Sequence, residues 1–231
     1  MLVFVVICVS SAALIAGALW GLYGRFPKNV EGFTVAMAGG ALIVSVMAEL
    51  LEPASQKTEL WLLLAVFGLG AIVFTVVDTW IDRRVGEDSG GGLMAAIVLD
   101  GVPENLALGV ALITADPIAV LALAGSIFLS NLPEAAGGAK EMKQNGLGAF
   151  KVLGLWTGTA VVLSAAAILG NLTLSPMQQT PLALIQGFAA GAVVASLATE
   201  VFPKAYREDH EMTGIAVALG VALAFALHQL G

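Results

Sequence analysis

The chain has 231 residues, 58% of them apolar and 12% charged, and its mean hydropathy is +0.93. A soluble domain carries roughly 25% charged residues, so the composition excludes one, and spanning helices of about 20 residues would number roughly eight. The net charge of −7 excludes nucleic acid as a partner, which would require a basic patch, and one cysteine, Cys8, excludes an internal disulfide or a thiolate metal cluster.

Apolar runs between charged or turn-forming breaks predict an all-α, polytopic membrane protein of eight passes, at 2–22, 32–51, 60–81, 92–113, 118–139, 150–170, 182–202 and 213–230. The links are too short to hold a domain, so residues 1–231 form a single transmembrane domain; the Gly/Ser/Asp-rich link 82–91 reads as the flexible one. No lysine or arginine precedes the first run, which therefore lacks the charged start of a secretory signal and is expected to remain in the mature protein. Arg25 and Lys28, Arg83 and Arg84, Lys140, Lys143 and Lys151, then Lys204 and Arg207 fall in alternate links, leaving Lys57 on the other side. Lysine and arginine stay cytoplasmic, so both termini are expected to be extracytoplasmic, with a bacterial-type plasma membrane as the setting and the lipid bilayer as a partner. Trp61, Trp80 and Trp156 read as lipid-facing or interfacial.

Two internal similarities organise the passes. Residues 36–51 (AMAGGALIVSVMAELL) resemble 187–202 (GFAAGAVVASLATEVF) at an offset of 151, aligning Gly40 with Gly191, Ser45 with Ser196 and Glu49 with Glu200. The run Asp100-Gly-Val-Pro103-Glu104 of pass four recurs thirty residues later as Ser130-Asn131-Leu-Pro133-Glu134 in pass five. Together they predict a 3+2+3 inverted-repeat bundle, an arrangement that puts a substrate site near the bilayer midplane at the repeat interface.

Five acids interrupt the apolar runs: Glu49, Asp100, Glu104, Glu134 and Glu200. Each costs roughly 2.5–3.5 kcal/mol at a helix centre, on the order of 12–17 kcal/mol together before pairing. No lysine or arginine lies within a predicted pass to neutralise them, so a bound cation, protonation or a wet cavity is expected to do so. Asp100 and Glu104 are one turn apart on one helix face, as are Ser130 and Glu134. Pro103 and Pro133 each remove a helical hydrogen bond and are expected to free a carbonyl near Leu99 and Leu129. With amide oxygens from Asn131 and Asn105, this reads as an oxygen-rich cage for a divalent cation. Glu49 and Glu52 fall toward the external mouth and Glu200 toward the cytoplasm, so the acids mark an entrance, a middle and an exit.

At these residues the chain resembles the ZIP family of divalent-metal transporters. The likeness covers the whole chain: eight passes, outward termini and a Pro-Glu motif in passes four and five. The family pattern His-Asn-x-Pro-Glu-Gly is matched by Asp100–Asn105 in pass four and by Ser130–Ala135 in pass five. The resemblance implies a secondary transporter that moves zinc, or manganese, iron or cadmium, toward the cytoplasm by sliding one helix group against another. It assigns Asp100, Glu104, Asn131 and Glu134, with Ser130 at a motif-histidine position, to the transport site. Met47 or Glu49 would be an accessory contact, and a homodimer is expected. Both motif histidines are absent, and the region 158–162, where the family often carries a further glutamate, is apolar. An all-oxygen set suits manganese, magnesium or calcium better than imidazole-rich zinc sites do.

No zinc-protease helix, nucleophile elbow or dinucleotide glycine fingerprint occurs, so neither an enzyme nor an organic cofactor is expected. His228, at the place in pass eight that Asp78 holds in pass three, reads as a structural interfacial residue. Two other readings stay open: a non-transporting metal-binding or regulatory protein on the same scaffold, and a proton or monovalent-cation pathway along the acids.

Overall fold

A backbone running through apolar surroundings must satisfy its own N–H and C=O groups, and a helix does so within one segment. The structure, a computed structural model, describes residues 2–24, 27–85, 90–114, 117–174 and 177–230, and every regular element among them is helical. In chain order these are α1 (Leu2–Tyr23), α2 (Lys28–Val46), α3 (Glu52–Ser55), α4 (Leu60–Val85), α5 (Gly90–Thr114), α6 (Pro117–Gln144), α7 (Ala149–Leu174), α8 (Gln179–Ser196), α9 (Phe202–Glu208) and α10 (Thr213–Leu230). Five stretches of described residues are long and apolar enough to cross a membrane: Val5–Tyr23, Lys28–Ser55, Leu60–Ile81, Ala149–Leu174 and Gln179–Glu208. This is consistent with a helical membrane protein.

The helices outrun the apolar runs at several ends, because lysine, glutamate and glutamine continue a helix readily. Lys140 and Lys143, expected in a link, are helical residues of α6. Of the expected flexible link, residues 86–89 lie outside the described residues, as does Arg25.

The irregular backbone accompanies two other prolines. Helix α6 runs through Pro133 without interruption, and α5 likewise continues past position 103. The irregular backbone lies instead in two single π turns, Met47–Leu51 between α2 and α3 and Leu197–Val201 between α8 and α9. Each is followed at once by a proline, Pro53 or Pro203, at the start of the next α-segment. A proline ring clashes with the carbonyl four residues back, and a wider turn relieves that clash while keeping the chain helical. The two turns are 150 residues apart and the acids within them 151. Glu49 is therefore the third residue of its turn and buried, whereas Glu200 is the fourth and partly exposed.

Four helix pairs make the most extensive contacts: α1 with α6, α5 with α7, α2 with α10, and α4 with α8. Apolar helices in lipid gain nothing from burying apolar surface against one another, so association relies on close packing of small residues. A Cβ on Gly40 would run into the carbonyl oxygen of Val217, and one on Gly220 into that of Met37, so α2 and α10 meet backbone to backbone. Gly191 against Phe67 and Gly70 against Phe188 do the same for α8 and α4. Between the pairs, α6 packs on α2 and α5 on α8 through an apolar layer that includes Val35, Leu42, Ala107, Ala111, Ile127 and Ala190.

Trp61 and Trp80 are exposed, as expected, but Trp156 is fully buried in a second apolar cluster with Leu14, Leu22 and Met142. A helix apolar on all sides does not disclose which face meets lipid, and α7 turns Trp156 toward α1 and α6.

The close contact at Gly191 generates a test. Gly191→Ala is expected to lower unfolding stability in detergent by about 1–3 kcal/mol, the usual range for overpacking. Gly68→Ala, where nothing lies within 4 Å of the added methyl, is expected to leave the thermal midpoint unchanged or slightly raised.

Candidate functional site

Helices α5 and α6 occupy the middle of the bundle, α6 touching α1, α2, α5, α7 and α10, and α5 touching α4, α6, α7 and α8. Each carries a glutamate one residue after its proline position. Glu104 on α5 is buried, with 3% of its surface exposed, and Glu134 on α6 is half-buried. The two carboxyls lie close enough to act on one another electrostatically. A pair of neighbouring acid groups inside an apolar bundle has two ways to lower its energy, holding a cation between them or sharing a proton.

Glu49 has a partner of its own. The Glu49 Oε1 lies 3.2 Å from Nδ1 of His228 on α10. A carboxylate accepts, so an ionised Glu49 requires the proton on Nδ1. His228 is thus the partner of a sequence-predicted site residue, a role that an offset of 150 from Asp78 did not disclose. Met47 begins the same π turn but is 52% exposed and points away from the interior that buries Glu49. Asp100 lies on α5, and its side chain falls outside the described residues. Among the described residues no three His, Cys, Asp or Glu side chains converge.

The expectation that no cation is available to the acids needs correction. Lys204, just beyond the second π turn, sits 3.7 Å from Glu31 Oε1 and also acts on Glu134. Its helix ends against the start of α2, so a residue assigned to a link reaches into the bundle on a long aliphatic stem. Glu31 is itself buried, and Gly137 on α6 leaves room for its carboxylate, which a Cβ there would strike. At the same end Lys28 pairs with Glu208 at 3.2 Å, and Lys143 donates to the Leu22 carbonyl at 2.6 Å, capping the last turn of α1.

The motif amides and hydroxyl are buried but turn to other partners. Ser130 donates to the Ile127 carbonyl at 3.0 Å, and Asn105 donates through Nδ2 to the Gly101 carbonyl at 2.9 Å. Asn131 faces a polar pocket lined also by Asn105, Ser10, Ser11 and Ser164, on the side of α5 and α6 toward α1 and α7. The serines of α1 and α7 escaped the sequence reading because a hydroxyl inside an apolar run carries no charge to mark it.

The contact between Glu49 and His228 is measurable as a coupling. A double-mutant cycle of Glu49→Gln and His228→Leu is expected to give about 0.5–1 kcal/mol in detergent unfolding, the scale of a partly exposed pair; additive effects would mean the contact contributes nothing. Compared with known proteins, the chain matches no family model and no curated sequence.

Proposed function

We propose that this chain is a secondary transporter of divalent metal cations, similar to the ZIP family, with its transport site at Glu104 and Glu134 between α5 and α6. The observation that carries the reading is that the two central helices α5 and α6 pack on one another, each carrying a glutamate directly after its proline. Asp100, one turn from Glu104, completes the set in this proposal, which leaves an oxygen-dominated site suited to a hard or borderline cation. Zinc is the cargo that the resemblance implies, and manganese the one that the ligand chemistry favours. Glu49 and Glu200, both in π turns, mark the two approaches to the centre, since π turns often accompany functional sites.

The packing supports a 3+2+3 inverted repeat with eight passes. The contact of α2 with α10 has its counterpart in α8 with α4, and that of α1 with α6 in α7 with α5. The glycine contacts pair in the same way, Gly40 and Gly220 with Gly191 and Gly70. Lys28, Lys143 and Lys204 meet at one end of the bundle, whereas Lys57 accepts from Thr180 near the start of α8; this supports a cytoplasmic end and outward termini. The same packing separates a group of α1, α5, α6 and α7 that carries the acid pair from a group of α2, α4, α8 and α10. Sliding of the first past the second along the apolar α2–α6 and α5–α8 contacts would expose the pair to either side in turn.

A second reading follows from Lys204, whose charge acts on Glu134. If that ammonium is the permanent counter-ion, the scaffold binds or senses without transporting.

Purified protein in liposomes, offered zinc, cadmium, manganese, iron and magnesium in one assay, tests the reading. Uptake of at least one of them is expected, rising with pH because carboxylate ligands bind metal only when deprotonated. Outer-shell changes at metal sites already cost roughly 10–100-fold, so Glu104→Ala and Glu134→Ala are expected to lose at least about that much. Wild-type rates in both variants would overturn the proposal. Lys204→Met separates the two readings: a transporter gains apparent affinity for the cation as the competing charge disappears, whereas a permanent ion pair loses folded protein and gains no affinity.

A further inference from the structure

The pocket between α1, α5, α6 and α7 lies outside the carboxylate pair and holds no charged side chain among its lining residues. Its polar groups are Ser10 and Ser11 from α1, Asn105 from α5, Asn131 from α6 and Ser164 from α7, set against apolar Leu14 and Leu163. Ser10 and Asn131 are 5% and 3% exposed, and neither the Ser10 hydroxyl nor the Asn131 Nδ2 has a hydrogen-bond partner among the described residues. Ser11 and Ser164 share a bond of 2.7 Å across the gap between α1 and α7. A buried polar group without a partner costs about 1–3 kcal/mol, and two of them facing one pocket imply an occupant.

Size and charge narrow the choice. The space between these side chains is too narrow to admit a water molecule, whereas organic ligands occupy sites of roughly 300–1,000 Å³. An anion would sit beside the carboxyls of Glu104, adjacent to Asn105, and of Glu134, one turn past Asn131; that proximity opposes it. A divalent cation takes carboxylates into its coordination shell, and none lines the pocket. What fits is a dehydrated monovalent cation smaller than water, held by neutral hydroxyl and amide oxygens from four helices. The Nδ2 of Asn131 has no bond to lose when its amide turns to present Oδ1, and the Ser10 hydroxyl rotates freely to offer a lone pair.

We propose that this pocket is a binding site for a dehydrated alkali cation of sodium or lithium size, formed by Ser10, Ser11, Asn105, Asn131 and Ser164. Because the site ties α1 and α7 to the two helices that bear the acid pair, occupancy would stiffen the group that carries them. A role as coupling ion rests on the transport reading above; the binding itself does not.

The test is thermal unfolding of the purified full chain in detergent, with sodium, lithium, potassium or choline chloride at equal ionic strength and no divalent ion present. Sodium or lithium is expected to raise the midpoint saturably over choline, as selective binding to the folded state requires, with potassium weaker. Ser10→Ala and Asn131→Ala are each expected to shift the half-saturating concentration up by roughly tenfold or more, and Gly68→Ala, outside the pocket lining and in open space, is expected to retain the response. Should an alanine variant fail to fold, Ser164→Ala carries the same expectation, since Ser164 lines the pocket and its hydroxyl bonds that of Ser11. Equal midpoints in all four salts, or a salt-independent gain in stability for Ser10→Ala and Asn131→Ala, would overturn the proposal and mark the pocket as an unsatisfied packing fault. Alkali-cation stabilisation without divalent uptake would sink the transport reading alone.

Discussion

Every polar group inside an apolar bundle must find its partner within the protein, and this constraint accounts for most of what is seen here. It makes the backbone helical along nearly all of the described chain, because only helices close their hydrogen bonds without help from neighbours. It sets π turns ahead of Pro53 and Pro203, where an ordinary turn would collide with the ring. It pairs Glu49 with His228 and draws Lys204 inward to Glu31. Among the described residues the constraint goes unmet at Ser10, Asn131, Trp156 and Ser196, and the first two face one pocket.

The helices are held by contacts that tolerate little change. Glycines at Gly40, Gly70, Gly191 and Gly220 let four helices approach until backbone meets side-chain-free backbone. That gives dispersion and shape, not hydrophobic burial, the task of holding the bundle together. The same economy of volume leaves the central helices α5 and α6 wrapped on most sides, and it brings Glu104 and Glu134 within reach of one another. Between the two groups of helices the contact is mainly aliphatic, with the Glu31 carboxylate of α2 set against Gly137 of α6.

Two polar environments adjoin the α5–α6 pair. One is anionic and modulated by Lys204; the other is neutral, narrow and built from hydroxyls and amides. The two adjoin through neighbouring residues at Glu104–Asn105 and through residues about one turn apart at Asn131–Glu134. Charge chemistry thus distinguishes the two environments, while geometry sets them side by side.

The amino-acid sequence by itself determined the helical class, the eight apolar runs and the acids within them, because hydropathy is a local property and each run is long enough to declare itself. It also disclosed the matched motifs around Pro103 and Pro133, which share their Pro-Glu dipeptide. Only the tertiary structure decided that Trp156 is core, that Met47 turns outward, that His228 meets Glu49 and that Lys204 acts on Glu134. Those outcomes depend on which face of a uniformly apolar helix meets protein, and on how far a flexible lysine reaches, and neither is written in a one-dimensional pattern. The serine and asparagine pocket belongs to the same class: its members come from four helices spread over more than 150 residues, and only packing brings them together.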